Sequence, residues 1–162
     1  MCSSDLRKGT YAELNVYFMT DLANGILGMC EFPTDEINPS TPSSYTFDGC
    51  MVHGGSMPNA PDFPGKFDEG FTAVHEIGHW FGLYHVFQGS SCRSNGDLIE
   101  DTPFQSSATS GCPTTKDSCP NSPGVDSIHN FMDYSDDRCY EGFTKGQIKR
   151  INDLWTELRE GN

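Results

Sequence analysis

The chain has 162 residues, the length of one domain. Its 23 Asp and Glu against 10 Lys and Arg give a formal charge of −13, which argues against nucleic acid or an anionic membrane as partner. Only 35% of residues are hydrophobic, while 17 are Gly and 10 are Pro, so much of the chain is expected to be irregular and in need of covalent staples. No apolar run follows a basic N-terminal stretch, and no stretch of eighteen apolar residues exists, so neither a signal peptide nor a membrane span is expected in these residues. Residues 11–19 alternate and are rich in β-formers, which predicts a strand. Residues 25–32 are weaker, with glycines that suggest a bulge or loop. Residues 33–47, rich in Pro, Ser and Thr, read as loop, and Pro39 disqualifies the single N-x-S/T frame at Asn38. Residues 49–53 read as a short strand in which His53 is a strand or surface residue rather than a ligand, and residues 54–67 as a Gly/Pro/Asn loop.

A helix is predicted over residues 69–81, with Asp68 or Glu69 as its cap because an acid near the first turn suits the dipole. It carries His75-Glu76-Ile77-Gly78-His79, followed by Gly82 and His85. Histidines four residues apart share one helical face, where two neutral imidazoles can hold one Zn²⁺. A catalytic zinc takes a third protein ligand and keeps one position open for water. His85 is the candidate third ligand, and Gly82 can take the positive φ that ends the helix and returns the chain to the metal. Glu76 is not a ligand but the candidate general base. Two solvated surface histidines would be the plainer reading of a bare H-E-x-x-H. Five agreeing positions and the apolar flanks Phe71, Val74, Ile77, Gly78 and Phe81 favour the metal.

Residues 88–127 are too long for an ordinary connection and must be functional or tied down. Cys92, Cys112, Cys119 and Cys139 allow three pairings, Cys30 and Cys50 form a further candidate bridge, and Cys2 is left over. None of the seven Cys sits in C-x-x-C, so a Cys₄ zinc site is not expected. Asp97, Glu100, Asp101 and Thr102 are candidate Ca²⁺ ligands, against the alternative of a solvated acidic loop. Residues 143–160 read as the last helix, with Phe143, Ile148, Ile151, Leu154, Trp155 and Leu158 at helical spacing and a Thr144–Gln147 capping box.

The zinc motif, Phe87-Gln88-Gly89, Asp101-Thr102-Pro103 and Asn130-Phe131-Met132-Asp133-Tyr134-Ser135 together resemble the pappalysin family of metzincins, and within it the secreted extracellular metalloproteases of fungi and microbes, over roughly residues 6–155. The resemblance implies an α+β zincin domain: a small twisted sheet and the active-site helix above, an irregular disulfide-held half with the C-terminal helix below, and a zinc cleft between. It implies a secreted zinc endopeptidase acting on protein or peptide substrates, with one catalytic Zn²⁺ and a plausible Ca²⁺. Met132 inherits the floor beneath the zinc and Tyr134 a role toward the metal or the oxyanion. The implied bridges are Cys92–Cys119 and Cys112–Cys139. The strand along the cleft edge, to which a peptide adds antiparallel, is placed by family order at 26–31. Some members carry an acid just before the Cys that follows the Met-turn, favouring a basic residue after the scissile bond. Arg138 stands there, so a strict Arg/Lys preference is expected to be weakened. Residue 1 is expected to fall inside the family's catalytic domain, after its propeptide and first strands. The competing readings are a truncated, non-catalytic zinc-stabilised binding or decoy module, which an intact Glu76 speaks against, and an intracellular zinc hydrolase, which the cysteines speak against.

Overall fold

Three short strands and two helices carry the architecture. The structure, a computed structural model, describes residues 6–38, 40–60, 62–94 and 96–162, so Cys2 lies outside the described residues. Strand β1 spans Val16–Met19, β2 Gly28–Cys30 and β3 Cys50–His53. The sheet order is β1-β3-β2, with β1 parallel to β3 in the register Val16↔Cys50 and β2 antiparallel to it in the register Cys30↔Cys50. The strand expected over 11–19 is shorter because residues 10–13 turn, with the Glu13 N–H bonded to the Thr10 carbonyl. Tyr11 leaves the sheet for a separate buried contact, its ring beneath the Arg159 guanidinium. The weak 25–32 stretch contains β2, the edge of the sheet that borders the cleft.

Helix α1 spans Phe71–Trp80. Its inner side packs Trp80 against Cys50 and Val52, with Leu14, Val16, Cys30, Ala73, Ile77, Phe81 and Trp155 around them. Full burial of such side chains stabilises by about 2 kcal/mol each. The expected caps are not used: Gly70 is the N-cap, with no side-chain bond of its own. Asp68 instead accepts the Gly65 N–H at 2.6 Å. The cap comes from far along the chain, where Asp137 Oδ2 accepts the N–H groups of Glu69 at 2.8 Å and Phe71 at 3.4 Å. A distant carboxylate does the same work as a local one, since the dipole and the orphan amides ask only for negative charge at that end.

Helix α2 spans Lys145–Leu154 and has the expected capping box between Thr144 and Gln147. It continues through a wider turn over Trp155–Arg159. Phe143 and Ile151 pack on a second cluster of Leu83, Val86 and Met132, as a core stripe should, whereas Ile148 is 45% exposed and faces away. Arg159 is fully buried, lies 3.6 Å from the Trp80 ring centroid and pairs with Asp48 at 2.9 Å. Asp48 also accepts the Trp80 indole N–H at 3.1 Å. The end of the chain is thereby bonded to the end of α1 by a buried ion pair in which both Arg159 Nη atoms find acceptors while its Nε has none.

The 88–127 stretch is tied down in two ways. Disulfides join Cys92 to Cys119 and Cys112 to Cys139, while Cys30–Cys50 staples β2 to β3. Buried carboxylates supply the rest. Asp133 accepts from Gln105 Nε2 and from the Thr109 backbone N–H, both at 2.9 Å, and from the Thr109 hydroxyl. Asp126 accepts from Lys116 at 2.6 Å and from the Ser118 N–H at 2.9 Å. Among the described residues, no helix is long and apolar enough to cross a membrane.

Candidate active site

His75 and His79 stand one turn apart on α1, and both are buried. Gly82 has φ +91°, and a side chain there would collide with Leu154, so the turn after α1 requires glycine. That turn brings His85 back to the helix. Its Nε2 lies 3.1 Å from His79 Nε2, which is itself 3.1 Å from His75 Nε2. Bonds of about 2.0–2.1 Å to one tetrahedral ion place ligand nitrogens roughly 3.3 Å apart, close to these separations. His75 Nδ1 donates to the Phe131 carbonyl at 2.6 Å and His79 Nδ1 to the Leu83 carbonyl at 2.7 Å. Each bond fixes the tautomer that leaves the Nε2 lone pair free for a metal. Burial and the neighbouring rings push His75 down to about 3 and His85 to about 4, and burial lowers His79. All three are therefore neutral at pH 7, as zinc requires. Among the described residues, this trio is the one group of three or more His, Cys, Asp and Glu whose ligand atoms lie close enough for an ion.

Met132 is fully buried against Leu83 and Val86. A β-carbon on Gly78 would come within 2.6 Å of its sulfur, so the helix must be bare there for the Met to fit. Glu76 is buried beside the histidines, and burial raises its carboxyl to about 7. The Tyr134 hydroxyl is 3.1 Å from His85 Nε2, and the ring is half-exposed to the cleft. Burial, Glu76 and Asp133 raise its pKa, so the phenol keeps its proton and remains a donor.

The carboxylates proposed for calcium do not converge. Asp97 is buried, accepting from the Thr102 hydroxyl at 2.7 Å and the Ile99 N–H at 3.1 Å. Asp101 accepts the Gly146 N–H at 2.9 Å in the first turn of α2. Glu100 is exposed. These acids hold a loop and a helix end, so the geometry gives calcium no support.

Beside Glu76 lies a cavity of about 310 Å³. Gly25–Gly28 of the cleft edge, Phe67 and Thr72 line it together with Tyr134, Asp137 and Tyr140. Arg138 is absent from this lining. Its side chain is 65% exposed and pairs with Asp136 at 3.6 Å. The residue in the wall is Asp137, 1% exposed, whose Oδ1 has no hydrogen-bond partner. Sequence reasoning missed Asp137, because nothing local separates it from its neighbour Asp136.

A family model described as peptidase M43, pregnancy-associated plasma protein-A, matches residues 7–155. This chain belongs to the pappalysin family. Among fungal pappalysin relatives, the extracellular metalloprotease of Pyricularia oryzae is 53% identical over 156 residues, 96% of this chain and 53% of its own length. The Neurospora crassa extracellular metalloprotease is 51% identical, over 95% of this chain and 52% of its own length. Mature mirolysin of Tannerella forsythia, solved in complex with a cleaved peptide, superposes with a TM-score of 0.74 at 35% identity, covering 90% of this chain and 53% of that one. The chain thus spans about half the length of the relatives it matches. The metzincin fold expected from the sequence is the fold observed.

Proposed function

We propose that this chain is the catalytic portion of a secreted zinc endopeptidase, with His75, His79 and His85 as ligands. The observation that carries this reading is the convergence of three neutral Nε2 atoms beside a buried carboxyl that is not itself a ligand. Zinc held there polarises a carbonyl and acidifies a water. Glu76 takes a proton from the attacking water and passes it to the leaving nitrogen, work suited to a group poised near neutrality. The Tyr134 hydroxyl donates to the oxygen on which charge develops. Met132 gives the rings a soft floor that does not compete as a ligand. Secretion is supported by the three bridges and by the relatives' description as extracellular.

The test is casein or gelatin hydrolysis by the zinc-loaded, oxidised protein beside Glu76→Ala. Activity in the first that falls about 10³-fold or more in the second, and disappears with a zinc chelator, supports the proposal. One zinc bound per chain with no hydrolysis in either protein favours the non-catalytic module.

The cavity beside Glu76 suits the side chain that follows the scissile bond. Its walls are largely apolar, and Asp137 among them brings a carboxylate to it, one oxygen of which has no hydrogen-bond partner. Arg138, turned to solvent, neither supplies nor reverses that charge, so the weakening expected from its position does not follow. A long basic side chain fits these surroundings. In a peptide library, Asp137→Asn should reduce the preference for Arg and Lys at that position about tenfold, and an unchanged profile would refute the assignment.

A further inference from the structure

The cavity accounts for one side of the scissile bond, and the other side of the cleft holds a feature that the zinc chemistry does not use. Along the cleft edge, side chains alternate. Gly28 faces Glu76, Cys30 faces the core beneath the sheet, and Phe32, two residues further, faces the same way. The Phe32 ring lies 5.2 Å from the His79 ring and is stacked on Tyr84 at 5.3 Å and 26°. Tyr84 is backed in turn by the Arg150 guanidinium at 5.3 Å, and Arg150 is fixed by a 2.8 Å bond to the Gly82 carbonyl. Phe32 is still 38% exposed. It is therefore an aromatic surface held rigidly from behind and left open beside a zinc ligand.

A peptide that adds antiparallel to β2 runs from the Phe32 end toward the Gly25 end, so residues before the scissile bond pass Phe32 and the residue after it reaches the cavity. In an extended peptide, every second side chain shares a face. The residue two places before the cavity's occupant therefore points toward the helix, on the same side as Phe32. Opposed strands bring such diagonal neighbours within reach of an aromatic ring. We infer that Phe32, supported by Tyr84, forms a subsite selecting an apolar or aromatic side chain at this position, the second before the scissile bond. This inference rests on the endopeptidase reading above.

The experiment is cleavage of a peptide library varied at each position around the bond by the zinc-loaded, oxidised protein and its Phe32→Ala, Phe32→Leu and Phe32→Lys variants. Zinc content is measured in each. The parent protein should favour apolar residues at the second position about tenfold in kcat/KM, mainly through KM. Phe32→Ala should flatten that preference, Phe32→Leu should keep most of it, and Phe32→Lys should turn it toward Asp and Glu. The profile after the scissile bond should not change. A uniform fall across all peptides, or loss of zinc, would mean that Phe32 only packs His79 and would overturn the subsite. A parent that cleaves well with no preference at the second position would overturn the subsite and leave the endopeptidase reading standing. A parent that cleaves nothing would end both.

Discussion

Residues 71–85 and residues 128–142 both border the histidine trio, but they hold their shape by different means. The first is a helix and its terminal turn. Its histidines meet because periodicity stacks His75 on His79 and Gly82 reverses the chain. The second is almost free of regular structure. Met132 and Tyr134 stand where they do because Asp133, between them, is held by Gln105 and Thr109, and because Cys139 is bridged to Cys112. One region takes its path mainly from contacts three or four residues away, with Asp137 and the Phe131 carbonyl as distant supports, the other mainly from contacts more than twenty residues away. The local region should therefore fail chiefly where glycine is required, at Gly78 and Gly82, while the lower region should fail through a few buried polar groups. Asp137 joins the two, since it follows the Met132 segment in sequence and caps α1 in space.

The largest expected effect breaks the lower region. Asp133→Ala removes the acceptor of four hydrogen bonds, one of them from the Tyr134 N–H, and leaves Gln105 and Thr109 buried without it. It should cost roughly 4 kcal/mol in denaturant unfolding of the oxidised protein, and a cost under about 1 kcal/mol would show that the bridges alone order this segment. Next comes the covalent part of the same comparison. Replacing Cys112 and Cys139 by Ser opens a loop with a sequence separation of 27. On the chain-entropy account this should cost roughly 3.5 kcal/mol, read as a shift in unfolding midpoint.

The third prediction probes the local region through pH, in the metal-free protein. Glu76 has a native pKa of about 7, above its ordinary value, so the stability it contributes is full below about 4.5 and is lost as pH rises through 7. His75 and His85 are lowered to about 3 and 4, so their contribution is full above about 6.5 and is lost as pH falls through those values. Glu76→Gln removes only the first limb. It should raise metal-free stability by roughly 2–3 kcal/mol at pH 8 and change it little at pH 4.5, measured by thermal melting at the two pH values. Equal gains at both would mean that the ionised carboxylate is not the cause. The smallest effect is a helix cap. Thr144→Ala should cost about 1 kcal/mol, well below Asp133→Ala, and the ranking of the two is the sharpest statement of the difference between the regions.

Local patterns carried far because they are local physics. The positions of His75, Glu76, His79, Gly82 and His85, the helix they start from and the Thr144–Gln147 box could all be read from spacing, since helix periodicity and capping depend on residues a few places apart. Resemblance added what spacing could not, the roles proposed for Met132 and Tyr134, and the pairing of Cys92 with Cys119 and Cys112 with Cys139 that the structure shows. Tertiary structure alone decided the rest. It took the cap of α1 from Asp68 and Glu69 and gave it to Asp137. It turned Arg138 outward and placed its neighbour in the cavity wall. It turned the acids proposed for calcium to the Ile99–Thr102 turn and the start of α2, and it seated Arg159 on Trp80. Each of these depends on which distant groups meet when the chain closes. A carboxylate or guanidinium carries no local mark of the partner that burial will give it.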